Sequence, residues 1–364
     1  MKKSNNLFKM GSLMLALTLV LAACGGGKEV NGNASDSNGK NSKVIELNVN
    51  NNGPSTGIYA TEVFEPWKKL VEEKTNGKVK VNLYHGSALG GTDTILNDVK
   101  GGVYEVGLVW TPYIMQSELF PLTIADLPFA GSADIKTNNE IVNKFAEKYI
   151  GDMGKDVQIM GISAAVPSYI FSTKPIKKYE SLKNKKMRAV GSSEADTIKA
   201  WGAVPVSVTA EEHYESLQKG IIDISVTSLS RAIDTSLNEV VPYVVDLPYK
   251  SIQMVPIMNK SVYDQLPDNL KTLFKDDLSP ALVQLVLDAQ IKDNSTSMKK
   301  FTEIVKGKGG VTTLADKDID SLKSKSKVAW DAWVEDANKK GYNGKEMMKE
   351  YQELLKEAGV DLPF

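Results

Sequence analysis

Arg188 is the side chain in this sequence best suited to chemistry. It stands near the end of a short apolar run within residues 185–228, KKMRAVGSSEADTIKAWGAVPVSVTAEEHYESLQKGIIDISVTS. A guanidinium at a strand end beside a cleft can hold a carboxylate, because its planar fork donates two parallel hydrogen bonds. The competing structural role is an ion pair with a nearby acid such as Glu194 or Glu212. Catalytic constellations are missing from the sequence. Its two histidines, His85 and His213, form no His-Glu-x-x-His pair and no His-rich metal site. There is no Gly-x-Ser-x-Gly elbow. Ser297/Lys300 and Ser324/Lys327 keep a Ser-x-x-Lys spacing, but in polar helical stretches without the companion motifs. Gly307-Lys308-Gly309-Gly310 lacks the rest of a phosphate loop and reads as a turn. Nothing pairs two carboxylates as acid and base. The reading is a binding protein, not an enzyme, with no metal and no cofactor.

The elements that must position Arg188 follow from periodicity. Residues 185–228 read as strand, helix, a Gly-Ala-Val-Pro-Val turn into a second strand, an amphipathic helix ending at Gly220, and a third strand over 221–227. Upstream, 44–50 alternates as a strand. Residues 59–75 have helical spacing, with Val63, Phe64, Trp67, Leu70 and Val71 on one face, and Asn76-Gly77 stops the helix. A strand over 78–84, a Gly-rich turn, a helix over 92–100 and a strand over 103–110 come next. Such alternation predicts a mostly parallel sheet covered by helices. Residues 96–110 and 214–228 share one pattern: a helix, a glycine (Gly102, Gly220), an acid three residues later (Glu105, Asp223) and an apolar strand. Two such units predict two lobes with a ligand between strand ends. Residues 157–173, interrupted by Pro167, and 240–258, with Pro242, Pro248 and Pro256, read as extended crossings between the lobes and as a hinge. From Pro267 onward the chain reads as mainly helical, with a break or kink at Pro280 and turns near 307–310 and 341–344.

Lys2, Lys3 and Lys9 precede an apolar core over 11–20, and Leu21-Ala22-Ala23-Cys24 follows. This reads as a lipoprotein signal peptide over 1–23, too short for a membrane span. Cys24, the only cysteine, is then the lipid attachment site; an ordinary secretory peptide with an incidental cysteine is the alternative. A lone cysteine excludes an intramolecular disulfide. Residues 24–43, nearly all Gly, Asn, Ser, Asp and Lys, read as a flexible tether. The balance of 44 Lys and Arg against 45 Asp and Glu lacks the basic excess that nucleic-acid binding needs. The expected division is lobe I over 44–165 plus 253–292 and lobe II over 166–252 plus 293–364.

The order of motifs in 185–228 resembles the solute-binding proteins of TRAP transporters (tripartite ATP-independent periplasmic, DctP type). A Lys-x-Arg strand, a Gly-Ala-x-Pro-x turn and Tyr-x-x-Leu-Gln-x-Gly-x-x-Asp stand in the same order. TNGKVKVNLYHGSALGG, ADLPFAG near Phe129, MNKSVYDQLP near Leu266 and AWDAWVEDANKKG near Trp333 extend the resemblance over most of the chain. It implies a two-lobed α/β fold like that of periplasmic binding proteins, with a hinge and a long helix bridging both lobes. It also implies that Arg188 binds a substrate carboxylate and that Trp110 lines the cleft, core packing being the alternative for that ring. Thr227 and Ser228 end the matching strand, where they serve as ligand contacts or as a helix cap. Ser168 and Tyr169 lie near a further cleft position, and Asn52 and Tyr59 are weaker candidates. Ser168 stands where some members carry a basic residue, and Ile224-Ser225-Val226 follows Asp223 where many carry glycine and glutamate. Those departures favour a monocarboxylate with a hydrocarbon portion over a sugar acid or a doubly charged ligand. By resemblance the partners are the integral membrane subunits of a TRAP permease, and the protein is an extracytoplasmic, lipid-anchored monomer. A binding protein serving a signalling receptor, or a membrane-anchored hydrolase, are the alternatives.

Overall fold

The computed structural model describes residues 44–150 and 155–364. The signal peptide, Cys24 and the tether lie outside the described residues. Apolar and β-branched runs give eleven strands: β1 (Ile45–Asn50), β2 (Val79–Tyr84), β3 (Val106–Trp110), β4 (Val157–Ile159), β5 (Ser163–Ser172), β6 (Lys186–Ala189), β7 (Val204–Ser207), β8 (Ile224–Thr227), β9 (Tyr243–Val245), β10 (Lys250–Asn259) and β11 (Gly310–Thr312). The main path of the sheet runs β2-β1-β3-β10-β5-β8-β6-β7. At one end β1 lies parallel to β2 and β3; at the other, β6 lies parallel to β7 and β8. These are the two α/β units, one in each lobe. Between them β10 and β5 run antiparallel to each other, with β10 also pairing β3 and β5 pairing β8.

The shared glycine-and-acid pattern has the same structural role in both units. Gly102 and Gly220 take φ of 73° and 65°, which glycine adopts without a Cβ clash. The acid that follows then binds a backbone N–H of the adjacent parallel strand. Glu105 accepts from Asn48 at 2.8 Å, and Asp223 accepts from Lys186 at 3.0 Å. Each hook ties the third strand of its unit to the first.

The crossing is irregular where proline removes a donor. Pro167 lies opposite Ser251, and the β5–β10 register shifts between Ser251 and Gln253. Side chains supply the missing bonds: Ser251 Oγ donates to the Ala165 carbonyl at 2.8 Å, and the Val166 N–H donates to Gln290 Oε1 at 2.8 Å. Gln290 belongs to the helix Ser279–Ile304, whose 26 residues span about 39 Å at 1.5 Å per residue. Its Leu282 and Val286 pack in the core of Val49, Trp67 and Val81, and its Phe301 packs with Phe171 and Leu217. One helix thus bridges both lobes.

Two expectations need correction. Of the break or kink expected at Pro280 there is no break, only a local irregularity of the helical course. Pro280 sits in the first turn of Ser279–Ile304, after a π-helical turn over Phe274–Leu278 in which the Ser279 N–H reaches the Phe274 carbonyl. The wider turn accommodates a residue that cannot donate. Residues 293–364 are also not confined to lobe II. In the helix Asp316–Lys339, Leu322 packs with Met187 and Ile198 of the second lobe, but Trp330 and Trp333 pack with Phe120 and Ile141 of the first. The helix Gly344–Glu357 adds Met347 and Tyr351 to that first-lobe core. Burying two tryptophans and a tyrosine there outweighs their place in the sequence, since each ring removes a large apolar area from water.

Candidate functional site

A cavity lies between the lobes, and Arg188 is in its wall. Alternation along β6 puts Met187 in the second-lobe core and Arg188 on the other face. Arg188 is only 8% exposed. Its Nε donates to the Val208 carbonyl at 3.0 Å, and its Nη2 lies 3.5 Å from the Tyr113 hydroxyl. Neither acid weighed as its partner takes that place. Glu194 pairs with Lys250 at 2.8 Å and accepts from the Tyr249 hydroxyl at 2.7 Å and the Val190 N–H at 2.8 Å. Glu212 accepts from Thr209 Oγ1 at 3.0 Å. Burial alone pushes the Glu194 carboxyl up, yet the Lys250 ammonium and the two hydrogen bonds hold it below the usual range. Lys250 and Glu194 therefore form a self-neutralising unit in the wall. Arg188 enters no ion pair among the described residues.

The other predicted residues divide. Trp110, at the end of β3, lines the cavity and meets Tyr59 edge to face at 5.6 Å. Its buried Nε1 has no hydrogen-bond partner among the described residues. Tyr59 lines the cavity as well; its hydroxyl accepts from Gln290 Nε2 at 2.7 Å, and burial raises its pKa, so the phenol is neutral. Asn52 is in the wall and donates through Nδ2 to Thr92 Oγ1 at 3.2 Å. Ser168, Thr227 and Ser228 line it too. Ser228 Oγ accepts from the Arg231 N–H at 3.2 Å, so it also caps the helix Leu229–Asp234, the other role weighed for it. Tyr169 falls outside the wall. Alternation along β5 turns Ser168 to the cavity and sends the Tyr169 ring into the core with Phe171 and Leu217.

Sequence reasoning missed five ionisable residues of the wall: Arg231, Lys250, His213, Asp234 and Tyr113. Arg231 had a signal. It is the chain's only other arginine, three residues beyond Ser228. Burial and the Arg188 charge lower its pKa. His213 is 4% exposed, and burial, with help from both guanidiniums, pushes its imidazole down to about 2. It is neutral, and its Nε2 has no hydrogen-bond partner among the described residues. The wall thus brings two guanidiniums together with an indole and phenol rings around a space with apolar patches at Ile58, Val166 and Val226. Such an arrangement can accommodate an anion with an apolar part.

Comparison with known proteins bears on the family and the fold. The family described as bacterial extracellular solute-binding protein, family 7 (DctP), matches residues 50–336. A TRAP periplasmic solute-binding protein from Desulfovibrio salexigens is 25% identical, with a TM-score of 0.70 over 87% of this chain and 98% of that one. A marine metagenome TRAP protein specific for aromatic acid ligands, solved with 3-hydroxybenzoate, is 20% identical, with a TM-score of 0.77 over 86% of this chain and 99% of that one. The ectoine-binding periplasmic protein TeaA of Halomonas elongata is 22% identical over 80% of this chain and 85% of its own length. Three other curated relatives are matched over 71%, 55% and 48% of their own lengths, so two of those likenesses reach only about half of the relative. The two-lobed fold is common to the solved structures.

Proposed function

The chain belongs to the DctP family of bacterial extracellular solute-binding proteins, and we propose that it is the substrate receptor of a TRAP transporter that captures an organic acid through Arg188. The observation that carries this reading is a buried guanidinium in an interlobe wall with no acid beside it, while the neighbouring Lys250 has one. A desolvated charge without a counter-ion is costly, and a ligand carboxylate supplies one through two parallel hydrogen bonds. Losing that pairing costs about 2–5 kcal/mol of affinity. Trp110 and Tyr59 offer flat apolar area to the rest of the ligand, while Ser168 and Thr227 offer hydroxyls. Structural neighbours solved with benzoate, orotic acid and β-D-galacturonate also hold acids.

Binding favours the closed lobes, because only then does the ligand touch both walls. In this reading the lobes divide at the crossing strands β5 and β10, with the C-terminal helices packing against both. The loaded protein delivers its acid to the integral membrane subunits of the permease. Cys24 carries the lipid that holds the protein at the outer face of the cell membrane, with 24–43 as tether. Among the described residues no helix is long and apolar enough to cross a membrane. Cys24→Ser should move the protein from the membrane fraction to the soluble one; an unchanged distribution removes the anchor.

The test of the binding reading is a thermal-shift and calorimetric screen of the mature protein against keto, hydroxy, aromatic and sugar acids. An acid present at a hundred times its Kd adds about 2.7 kcal/mol of stability. Arg188→Ala should abolish that gain. Stabilisation that survives the substitution overturns the role given to Arg188.

A further inference from the structure

Gln290 does not line the interlobe cavity, yet its side chain holds two pieces of the cavity wall from behind. We propose that Gln290 is a positioning residue for the ligand. Its amide fixes the ring pair of Tyr59 and Trp110 against the crossing strand β5, and so sets how tightly an acid is held. This rests on the reading of the cavity as the ligand site.

Gln290 lies where the bridging helix passes from one lobe to the other. Leu282 and Val286 precede it in the first-lobe core, and Phe301 follows in the second-lobe core. Gln290 is 1% exposed, so its polar atoms need partners inside the protein. Oε1 accepts from the Val166 N–H at 2.8 Å, and Nε2 donates to the Tyr59 hydroxyl at 2.7 Å. The first bond orients the second. Val166 falls inside the register shift between β5 and β10, and its N–H can only donate. That turns Oε1 to the strand and Nε2 to the phenol.

The phenol oxygen is then fixed from two sides. It accepts from Gln290 and donates to Met254 Sδ at 3.4 Å. Met254 pairs with Trp110 across β10 and β3, and the Trp110 ring meets the Tyr59 ring edge to face at 5.6 Å. Tyr59, Trp110 and Val166 all line the cavity. The gap at Val166 calls only for Oε1. The second bond, to a wall side chain, links the aromatic face to the strand on which the lobes turn. A ring already held in place loses little freedom when a ligand packs on it, which favours binding. Removing the amide frees that ring and detaches it from β5, although no wall side chain has changed.

The test reads Trp110 directly. Of the five tryptophans, Trp67, Trp201, Trp330 and Trp333 are buried, so the emission that acrylamide reaches in the folded protein belongs to Trp110 and should vanish in Trp110→Phe. Wild type, Gln290→Met, Tyr59→Phe and the double variant are compared without ligand, and then by calorimetry with benzoate and 3-hydroxybenzoate. Gln290→Met loses both bonds; Tyr59→Phe keeps the ring and the Val166 bond and breaks only the link. Each should raise the Trp110 quenching constant about two-fold or more, and the double variant should go no further, because both substitutions remove one link. An acid that binds wild type should bind either single variant about two- to thirty-fold more weakly. If neither acid binds wild type, the ligand-free quenching decides. Quenching unchanged in Tyr59→Phe, or two effects that simply add, overturns the proposal. So does a Gln290→Met protein that melts lower with quenching unchanged, which would confine Gln290 to supporting the strand. Affinity equal in wild type and Gln290→Met but lost in Arg188→Ala leaves the Arg188 reading standing and removes this one. Quenching that responds as expected, with acid binding that survives Arg188→Ala, removes only the role given to Arg188.

Discussion

Glu211 ties the two lobes together beside the cavity, and its replacement should loosen them by a definable amount. It stands in the loop after β7, in the second lobe. Its Oε1 accepts from Ser87 Oγ at 3.1 Å, the Thr92 N–H at 3.1 Å and Thr92 Oγ1 at 2.7 Å, all from the first lobe. Thr92 in turn accepts from Asn52, which lines the cavity. Shielded hydrogen bonds to a charged acceptor contribute about 1.5–3 kcal/mol each. Glu211 is exposed, so water competes and salt screens, and the sum is reduced to about 1–2 kcal/mol. That amounts to roughly a five- to thirty-fold change in an equilibrium constant.

Glu211→Ala should therefore shift the ligand-free protein toward an open form, seen as a larger radius of gyration by small-angle X-ray scattering. Affinity for a stabilising acid should fall by up to the same factor, though no side chain of the cavity wall has changed. Glu211→Gln, which keeps one accepting oxygen, should lie between the two. Burial pushes the Glu211 carboxyl up, but the bonds from Thr92 and Ser87 prevail and hold it below the usual range. The stabilisation is thus complete above the unfolded value of 4.5 and is lost as pH falls through the lowered folded value. Unchanged scattering and unchanged affinity in Glu211→Ala would refute the reasoning.

The buried Lys250–Glu194 pair and Asp126 give two further tests. Lys250→Met leaves Glu194 charged and buried without its cation, so chemical denaturation should show a loss of about 3–5 kcal/mol, and adding Glu194→Gln should restore most of it. A double variant as unstable as the single one would show that the pair is not what Lys250 supports. Burial raises the Asp126 carboxyl to about 8, against opposing help from a Thr111 hydrogen bond and the Lys250 charge, and its Oδ2 is buried without a partner among the described residues. The folded protein holds this proton from 3.8, the unfolded value, up to about 8, so the stability it lends falls as pH rises through that window and is gone above it. Asp126→Asn should flatten that decline, leaving melting temperatures close to wild type near pH 4 and higher by pH 8; parallel pH profiles would contradict the assignment.

How much of this was legible in the sequence depends on whether a residue's role is local. Val63, Phe64, Trp67 and Val71 announce a helix by spacing alone, and all four are buried. Glu105 and Asp223 recur at one spacing because each completes a bond within its own unit. Arg188 is legible because a strand end is itself a local feature and the type of side chain narrows the chemistry. Pro280 misleads because the rule that proline breaks a helix counts one lost hydrogen bond, whereas a π turn five residues long absorbs it. Trp330 and Trp333 mislead because position along the chain says nothing about which lobe has room for an indole.

The cavity wall is harder still to read, for a reason that follows from charge. Periodicity reports which face a side chain takes, so it separates Ser168 from Tyr169 only once the buried face is known. It cannot say which cations will find an acid. Arg231 stands out as the second of two arginines and Lys250 does not, yet Lys250 pairs with Glu194 at 2.8 Å. That pairing is a property of the assembled lobes, since Lys250 comes from a crossing strand and Glu194 from the helix after β6. Which charges remain unmatched after folding is therefore a quantity that emerges only when both units and both crossings are in place.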